Sequence, residues 1–200
     1  MSDPIDVAII DSGGANLASL QFALERLGAR SFVSSDPAAI AAAPRVLLPG
    51  VGAAANAMRR LQERGLDQLI PRLQVPLLGL CLGMQLLFDH SAEADTRCLG
   101  VFPGPIEQLA PGPGLPVPHM GWNTLDPVAE DPLMAGLGPS DYVYFVHSYA
   151  AVPDQHTLAT VHYGKPLAAV VRRGNFCGAQ FHPERSAASG ARLLRNFLAL

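Results

Sequence analysis

Between residues 76 and 88 the chain reads PLLGLCLGMQLLF, and one cysteine, Cys81, stands where an apolar strand must turn sharply into a helix. Val75 to Leu80 is an apolar run of strand length, and Leu82, Gln85, Leu86 and Asp89 follow at helical spacing, which puts Cys81 on the turn. Gly79 and Gly83 flank it as G-x-C-x-G, the thiol analogue of a serine nucleophile elbow, where small residues let a strained turn pass close to neighbouring strands. A thiol at a helix N-terminus meets unpaired N–H groups and the positive end of the dipole, which favour thiolate. Taken alone, the motif fits a buried cysteine behaving as a small hydrophobe equally well.

The C-terminal stretch Gly178-Ala179-Gln180-Phe181-His182-Pro183-Glu184 continues a strand-like segment from Asn175. In an extended chain residues two apart point the same way, so His182 and Glu184 are placed to meet. A carboxylate that holds an imidazole in one tautomer and stabilises its charged form makes a general base with its orienter. His-x-Glu is common by accident; combined with the elbow it points to acyl chemistry by Cys81, His182 and Glu184.

At 200 residues and 49% hydrophobic, the chain is expected to form a single domain over 1–200. A net charge of −3 without any basic run argues against nucleic acid as a partner. No apolar stretch is long enough to span a bilayer, and Met1 to Asp6 lacks the features of a signal peptide, so a cytoplasmic location is expected and no membrane partner. Three cysteines without C-x-x-C spacing suggest reduced thiols, with Cys98 and Cys177 structural or incidental. The six histidines form neither H-x-x-x-H nor a Cys/His cluster, so no metal site is expected.

The N-terminal half alternates strands and helices: Ile5 to Ile10, a helix from Leu17 to Leu27 closed by Gly28, Ser31 to Ser34, a short helix Pro37 to Ala42, Val46 to Leu48, a helix near Ala54 to Arg64, and a helical turn around Asp67 to Leu73. Such alternation predicts an α/β fold with a mostly parallel central sheet, flanking helices, and ligands at the carboxyl ends of its strands. Beyond Cys98, Tyr142 to Tyr149, Leu158 to Tyr163, Leu167 to Arg172 and Asn175 to Phe181 read as an antiparallel extension of the same sheet, and Ala191 to Leu200 as a closing helix.

Pro49-Gly50-Val51-Gly52 ends the third strand, and its N–H groups, with that of Leu82, are suited to an oxyanion, although the same spacing serves an ordinary strand-to-helix turn. Gln85 lies one helical turn after Cys81 and fits either a polar substrate contact or a solvated face. Asp11 to Asn16 lacks G-x-G-x-x-G, so a dinucleotide is discounted. His147 sits at a strand end, with a packed core histidine as its alternative reading.

With LPGVG at 48–52, GLCLGMQLLF at 79–88 and QFHPERS at 180–186, the chain resembles a class I glutamine amidotransferase, whose fold is flavodoxin-like. HMGWN at 119–123, preceded by Pro118, and YFVHSY at 144–149 narrow the resemblance to the glutaminase subunits of imidazole glycerol phosphate synthase in histidine biosynthesis. The resemblance implies Cys81 as nucleophile, His182 as acid/base, Glu184 as orienter, Gly52 and Leu82 at the oxyanion hole, and Gln85, His147, Ser148 and Tyr149 on the surface that binds L-glutamine. It implies no cofactor, and a heterodimer with a (β/α)8-barrel cyclase subunit that takes up the ammonia and forms imidazole glycerol phosphate and an aminoimidazole carboxamide ribonucleotide. Asp11, Asn16, His119, Met120, Trp122 and Asn123 would face that partner.

Four positions depart from the family pattern: Ser12, Ala15 and Ala54 stand where an aromatic, a glycine and an aromatic are usual, and Arg185 replaces a lysine. The rival readings are a glutaminase for anthranilate, aminodeoxychorismate or pyridoxal phosphate synthesis, a noncatalytic binding subunit of the same fold, and a cysteine peptidase.

Overall fold

A computed structural model describes residues 5–12 and 17–200. Its strands are β1 (Asp6–Ile10), β2 (Arg30–Ser34), β3 (Arg45–Gly50), β4 (Leu77–Cys81), β5 (Phe88–Ser91), β6 (Thr96–Arg97), β7 (Phe102–Gln108), β8 (His119–Thr124), β9 (Asp126–Pro127), β10 (Tyr142–His147), β11 (Tyr149–Ala151), β12 (Thr157–Tyr163), β13 (Lys165–Arg173) and β14 (Phe176–Ala179). Its helices are α1 (Leu17–Glu25), α2 (Pro37–Ala42), α3 (Ala54–Glu63), α4 (Leu66–Leu69), α5 (Leu82–Leu86) and α6 (Ala187–Leu198).

Eight strands form the main sheet in the order β2-β1-β3-β4-β14-β13-β12-β9. The neighbours from β2 to β14 run parallel, and β13, β12 and β9 add on antiparallel. This is the mixed, mostly parallel sheet that the alternating pattern predicts.

The central strands are apolar along their whole length because both faces are covered, and successive residues feed opposite cores. Val7, Ile9, Leu47, Leu78 and Leu80 join Leu24 of α1 and Leu194 and Phe197 of α6. Ala8, Ile10, Val46, Leu48 and Leu77 pack with Ile40 of α2, Leu61 of α3, Leu66 of α4 and Met84 of α5. Strand ends therefore rise between two packed layers, and at β3, β4 and β14 those ends lie side by side.

Four expectations need correction. The helix after Cys81 stops at Leu86, and Asp89 lies in a strand, β5, which runs parallel to β7 and antiparallel to β6. Phe88 is drawn into β5 by its partner strand: it pairs with Phe102 of β7 in register and stacks on that ring at 5.3 Å between centroids. Tyr142 to Tyr149 does not join the main sheet: β10 pairs antiparallel with β8 as a separate ribbon, and after Ser148 the chain enters β11, which pairs with β7. Val143, Phe145 and His147 are buried in alternation with Tyr142, Tyr144 and Val146, so this strand has one covered face where a central strand needs two. The final helix begins at Ala187, four residues before the expected Ala191, and strand β14 ends at Ala179, short of Phe181.

Gly83 sets how closely α5 lies on β3. A Cβ built on it would fall 1.7 Å from the Leu48 carbonyl oxygen, a backbone atom that cannot swing aside. Gly83→Ala is expected to destabilise the fold by about 3 kcal/mol or more, as overpacking against a rigid neighbour does. Thermal unfolding checks this, and a midpoint within about 2 °C of the unaltered chain would contradict the packing described.

Candidate active site

Cys81 ends β4 with φ 52° and ψ −113°, an unfavourable backbone geometry for a residue with a Cβ. Leu82 opens α5, so its N–H is the first of those a helix leaves without an internal partner. Gly52, with φ +87°, sits in the loop beyond β3, beside the same cavity as Cys81 and Leu82. That cavity, about 320 Å³, is also lined by Gln85, Glu93, His147, Ser148, Tyr149 and His182. A second cavity of about 510 Å³, walled by Leu20, Gly50, Glu184 and Arg185, shares Val51, Val146 and His182 with the first.

His182 Nδ1 lies 3.0 Å from Glu184 Oε1, with both side chains about nine-tenths buried. The contact does not come from a continuing strand. Glu184 belongs to a short 3-10 turn, Pro183–Arg185, that brings it back under the imidazole. The backbone fixes the ring's position: His182 N–H donates to the Tyr144 carbonyl at 3.0 Å, and the Ser186 hydroxyl donates to the His182 carbonyl at 2.6 Å while accepting Tyr144 N–H at 2.9 Å. Gly190 lets α6 press on this turn, since a Cβ there would meet the Pro183 carbonyl oxygen at 2.0 Å. His182 Nε2 is buried with no hydrogen-bond partner among the described residues. Burial disfavours the imidazolium, but the nearby Cys81 sulfur and the hydrogen-bonded Glu184 carboxylate outweigh it and raise His182 to about 10. A ring that keeps its proton beside a sulfur and a carboxylate is equipped for proton transfer to a leaving group.

A pair of histidines nearby, His119 and His147, is held neutral. His147 Nδ1 lies 2.8 Å from the Tyr149 carbonyl, which can only accept, so Nδ1 carries the proton and Nε2 is an acceptor. His119 Nδ1, 3.0 Å from that Nε2, must then donate, leaving His119 Nε2 to accept from Asn123 Nδ2 at 3.4 Å. Asn123 Nδ2 also donates to the His162 carbonyl at 3.1 Å. Burial lowers both His119 and His147 to about 4, in keeping with this chain of neutral rings.

Of the residues singled out from sequence, Cys81, His182, Glu184, Gly52, Leu82, Gln85, His147, Ser148 and Tyr149 are gathered around the two cavities. Gln85 is not solvated: its Nε2 donates to the Tyr149 carbonyl at 2.8 Å and to Gln180 Oε1 at 3.0 Å, leaving its own Oε1 as the group a ligand can meet. Of the expected partner-facing residues, Met120 and Trp122 are 66% and 52% exposed, Asp11 is exposed and Asn123 half-buried. His119 is a correction in kind, its ring buried between Phe145 and Tyr163 because β8 alternates faces. Asn16 and Ala15 lie outside the described residues. Ser12 is buried, and its hydroxyl donates to the Pro49 carbonyl at 2.6 Å, tying β1 to the PGVG loop.

Glu93, Gln180 and Ser186 were missed. Glu93 reaches the cavity from a turn 39 residues beyond Ala54, whose N–H it accepts at 2.7 Å at the start of α3. No local pattern marks it. Gln180 and Ser186 stand inside QFHPERS, where the His-x-Glu spacing draws attention away from them. Among the described residues no group of three or more His, Cys, Asp or Glu side chains is arranged to hold a metal ion, and no helix is long and apolar enough to cross a membrane.

A cysteine on a strained strand-to-helix turn and a histidine paired with a carboxylate line one cavity at the strand ends of this sheet. Residues 8–200 match the glutamine amidotransferase class-I family, and the chain belongs to that family. Within it, the chain is 56% identical over 193 residues to the imidazole glycerol phosphate synthase subunit HisH of Xanthomonas euvesicatoria pv. vesicatoria (strain 85-10), covering 96% of both chains. It is 52% identical to the subunit of that name from Xylella fastidiosa (strain Temecula1 / ATCC 700964), again over 96% of each. The fold is shared with a crystallised glutamine amidotransferase (TM-score 0.75, 22% identical, 96% of this chain and 97% of that one). It is shared too with PurLQS from Thermotoga maritima (TM-score 0.73, 17% identical, 99% of each).

The histidines make stability depend on pH in opposite senses. His119 and His147 stay neutral in the folded chain down to about 4 but protonate from about 6.5 when unfolded. The unfolded state therefore binds more protons in that window, and stability falls as pH drops through it, by on the order of 3 kcal/mol for each histidine. His182, raised to about 10, stabilises fully below about 6.5 and loses that contribution as pH climbs through about 10. Thermal midpoints are expected to fall between pH 7 and pH 4.5, with a shallower fall in His147→Gln; parallel curves for the two proteins would rule out the pair as the source.

Proposed function

We infer that this chain is the glutaminase subunit of imidazole glycerol phosphate synthase, hydrolysing L-glutamine to glutamate and ammonia for histidine biosynthesis. The observation that carries the reading is Cys81 placed with His182, itself paired with Glu184, at a cavity that also presents Gln85 and Glu93. The kinship with the HisH subunits names the pathway. The reading carries a cytoplasmic location with it.

The Cys81 sulfur attacks the side-chain amide carbon, and a C–S bond forms as the carbonyl electrons move to oxygen. The N–H groups of Gly52 and Leu82 stabilise that oxyanion. His182 Nε2 gives its proton to the departing nitrogen, the C–N bond breaks and ammonia leaves a glutamyl thioester. His182, now neutral, takes a proton from water, the hydroxide adds to the thioester carbon, and expulsion of the thiolate releases glutamate. Glu184 holds Nδ1 throughout. The Glu93 carboxylate and the Gln85 Oε1 are acceptors suited to the substrate's ammonium, and Ser148 and Tyr149 line the same cavity.

Ammonia passes to a (β/α)8-barrel cyclase subunit bound as a heterodimer partner. Met120 and Trp122 form the exposed face of β8, and Trp122 meets the edge of Tyr144, over which the Arg185 guanidinium lies 4.5 Å from the ring centroid. This places an apolar, cation-bordered surface beside the second cavity, which is lined by Arg185.

Glutamate release from glutamine tests the assignment, with the chain alone and mixed with the cyclase and its nucleotide substrate. Release is expected to rise with the loaded cyclase and to disappear in Cys81→Ala. Release indifferent to the cyclase would leave a glutaminase of another pathway, and none under any condition would favour a noncatalytic subunit. Trp122→Ala is expected to lower transfer of ammonia to the cyclase product more than it alters KM for glutamine. Unchanged transfer in an intact heterodimer would remove β8 from the interface.

A further inference from the structure

Gln180 is wholly buried beside the nucleophile, and its orientation follows from its neighbours. The Tyr149 carbonyl accepts only, so Gln85 must present Nε2 to it. The same Nε2 has its second hydrogen 3.0 Å from Gln180, which must therefore turn its Oε1 to Gln85. Gln180 Nε2 is thereby aimed at Cys81 Sγ, 3.8 Å away, and that sulfur satisfies the amide where no solvent reaches it. The thiol's other contact is of opposite kind: the sulfur lies 3.7 Å from the Val146 carbonyl, to which only an S–H can donate.

We propose that Gln180 is a positioning residue for the reaction: its Nε2–H, aimed by Gln85, holds the Cys81 sulfur in its anionic form and at the angle of attack. As a thiol the sulfur donates to Val146. Once that proton has passed to His182 Nε2, the carbonyl faces an anion, and the Gln180 N–H is the neutral donor that compensates, alongside the imidazolium. Hydrogen bonds to charged groups are stronger than those to neutral ones, so the amide favours the sulfur whenever it carries charge. That occurs twice in the cycle, before attack on the amide and on expulsion from the thioester. In the thioester the sulfur is a poor acceptor and the bond weakens, so the contact assists both steps without contributing to glutamine binding. The same chain of bonds continues from Gln85 through the Tyr149 carbonyl to His147, His119 and Asn123, which fixes the amide's aim from the far side of the ribbon.

The inference rests on Cys81 as the nucleophile, and alkylation by iodoacetamide reads the sulfur whether or not glutamine is the substrate. The rate of Cys81 alkylation against pH, followed by peptide mass, is compared for the unaltered chain, Gln180→Met and Gln180→Glu. The midpoint is expected to rise by about one pH unit or more in Gln180→Met and further in Gln180→Glu, which sets an acceptor where the donor was. Glutamine hydrolysis with the loaded cyclase should show kcat lowered roughly tenfold with KM within about twofold. A folded Gln180→Met with an unshifted alkylation profile would overturn the proposal. Should neither variant fold, the side-chain amide resonance of Gln180 in the unaltered chain is followed through the same titration. It is expected to move with the alkylation midpoint, and a stationary resonance would be equally decisive against. A shifted profile in a chain that never releases glutamate would uphold Gln180 and refute the glutaminase reading.

Discussion

Everything at the carboxyl ends of the central strands depends on how closely α5 approaches β3. The gap between Gly83 and the Leu48 carbonyl admits no side-chain carbon, and this closeness forces the chain to leave β4 through a residue with positive φ. Cys81 occupies that residue's place. Its thiol is thus thrown clear of both hydrophobic layers while its neighbours Leu80 and Leu82 are buried in opposite ones. A wider spacing would let the turn relax, and the sulfur, the Leu82 N–H and the PGVG loop would lose their common focus.

The polar groups behind this turn are arranged by a second rule. Buried far from solvent, each must find a partner. The rings of His119 and His147, the amides of Gln85 and Gln180 and the carbonyl of Tyr149 satisfy one another in sequence. Because a carbonyl sits within that sequence, every donor and acceptor along it has a fixed sense. His182 is the contrast. Its Nε2 has no hydrogen-bond partner among the described residues, and its proton is retained by neighbouring charge where the other two rings are kept neutral by burial.

Much of this was legible in the residues themselves. Continuous apolar runs such as Val7 to Ile10 mark strands covered on both faces, and G-x-C-x-G marks the turn, since both reflect local sterics. What was not legible came from distance. Glu93 meets the helix start at Ala54 across 39 residues. Ser12, which departs from the family's aromatic, is bonded to Pro49 across 37. The helix expected through Asp89 and the sheet membership of Tyr142 to Tyr149 failed for one reason: periodicity says which side of an element is apolar, not how many neighbours will cover it. The His182 to Glu184 contact was anticipated from extended spacing, yet the chain achieves it with a 3-10 turn, a shape that proline at 183 favours.

Trp122 is the only tryptophan of the chain, and it stands half-exposed on the outer face of β8, edge-on to Tyr144. An indole in that setting emits as a hydrated chromophore until another surface covers it. Its fluorescence therefore reports on this strand alone: a blue shift in emission would register any surface that came to cover it, and constant emission on mixing would mean that the strand stays in water.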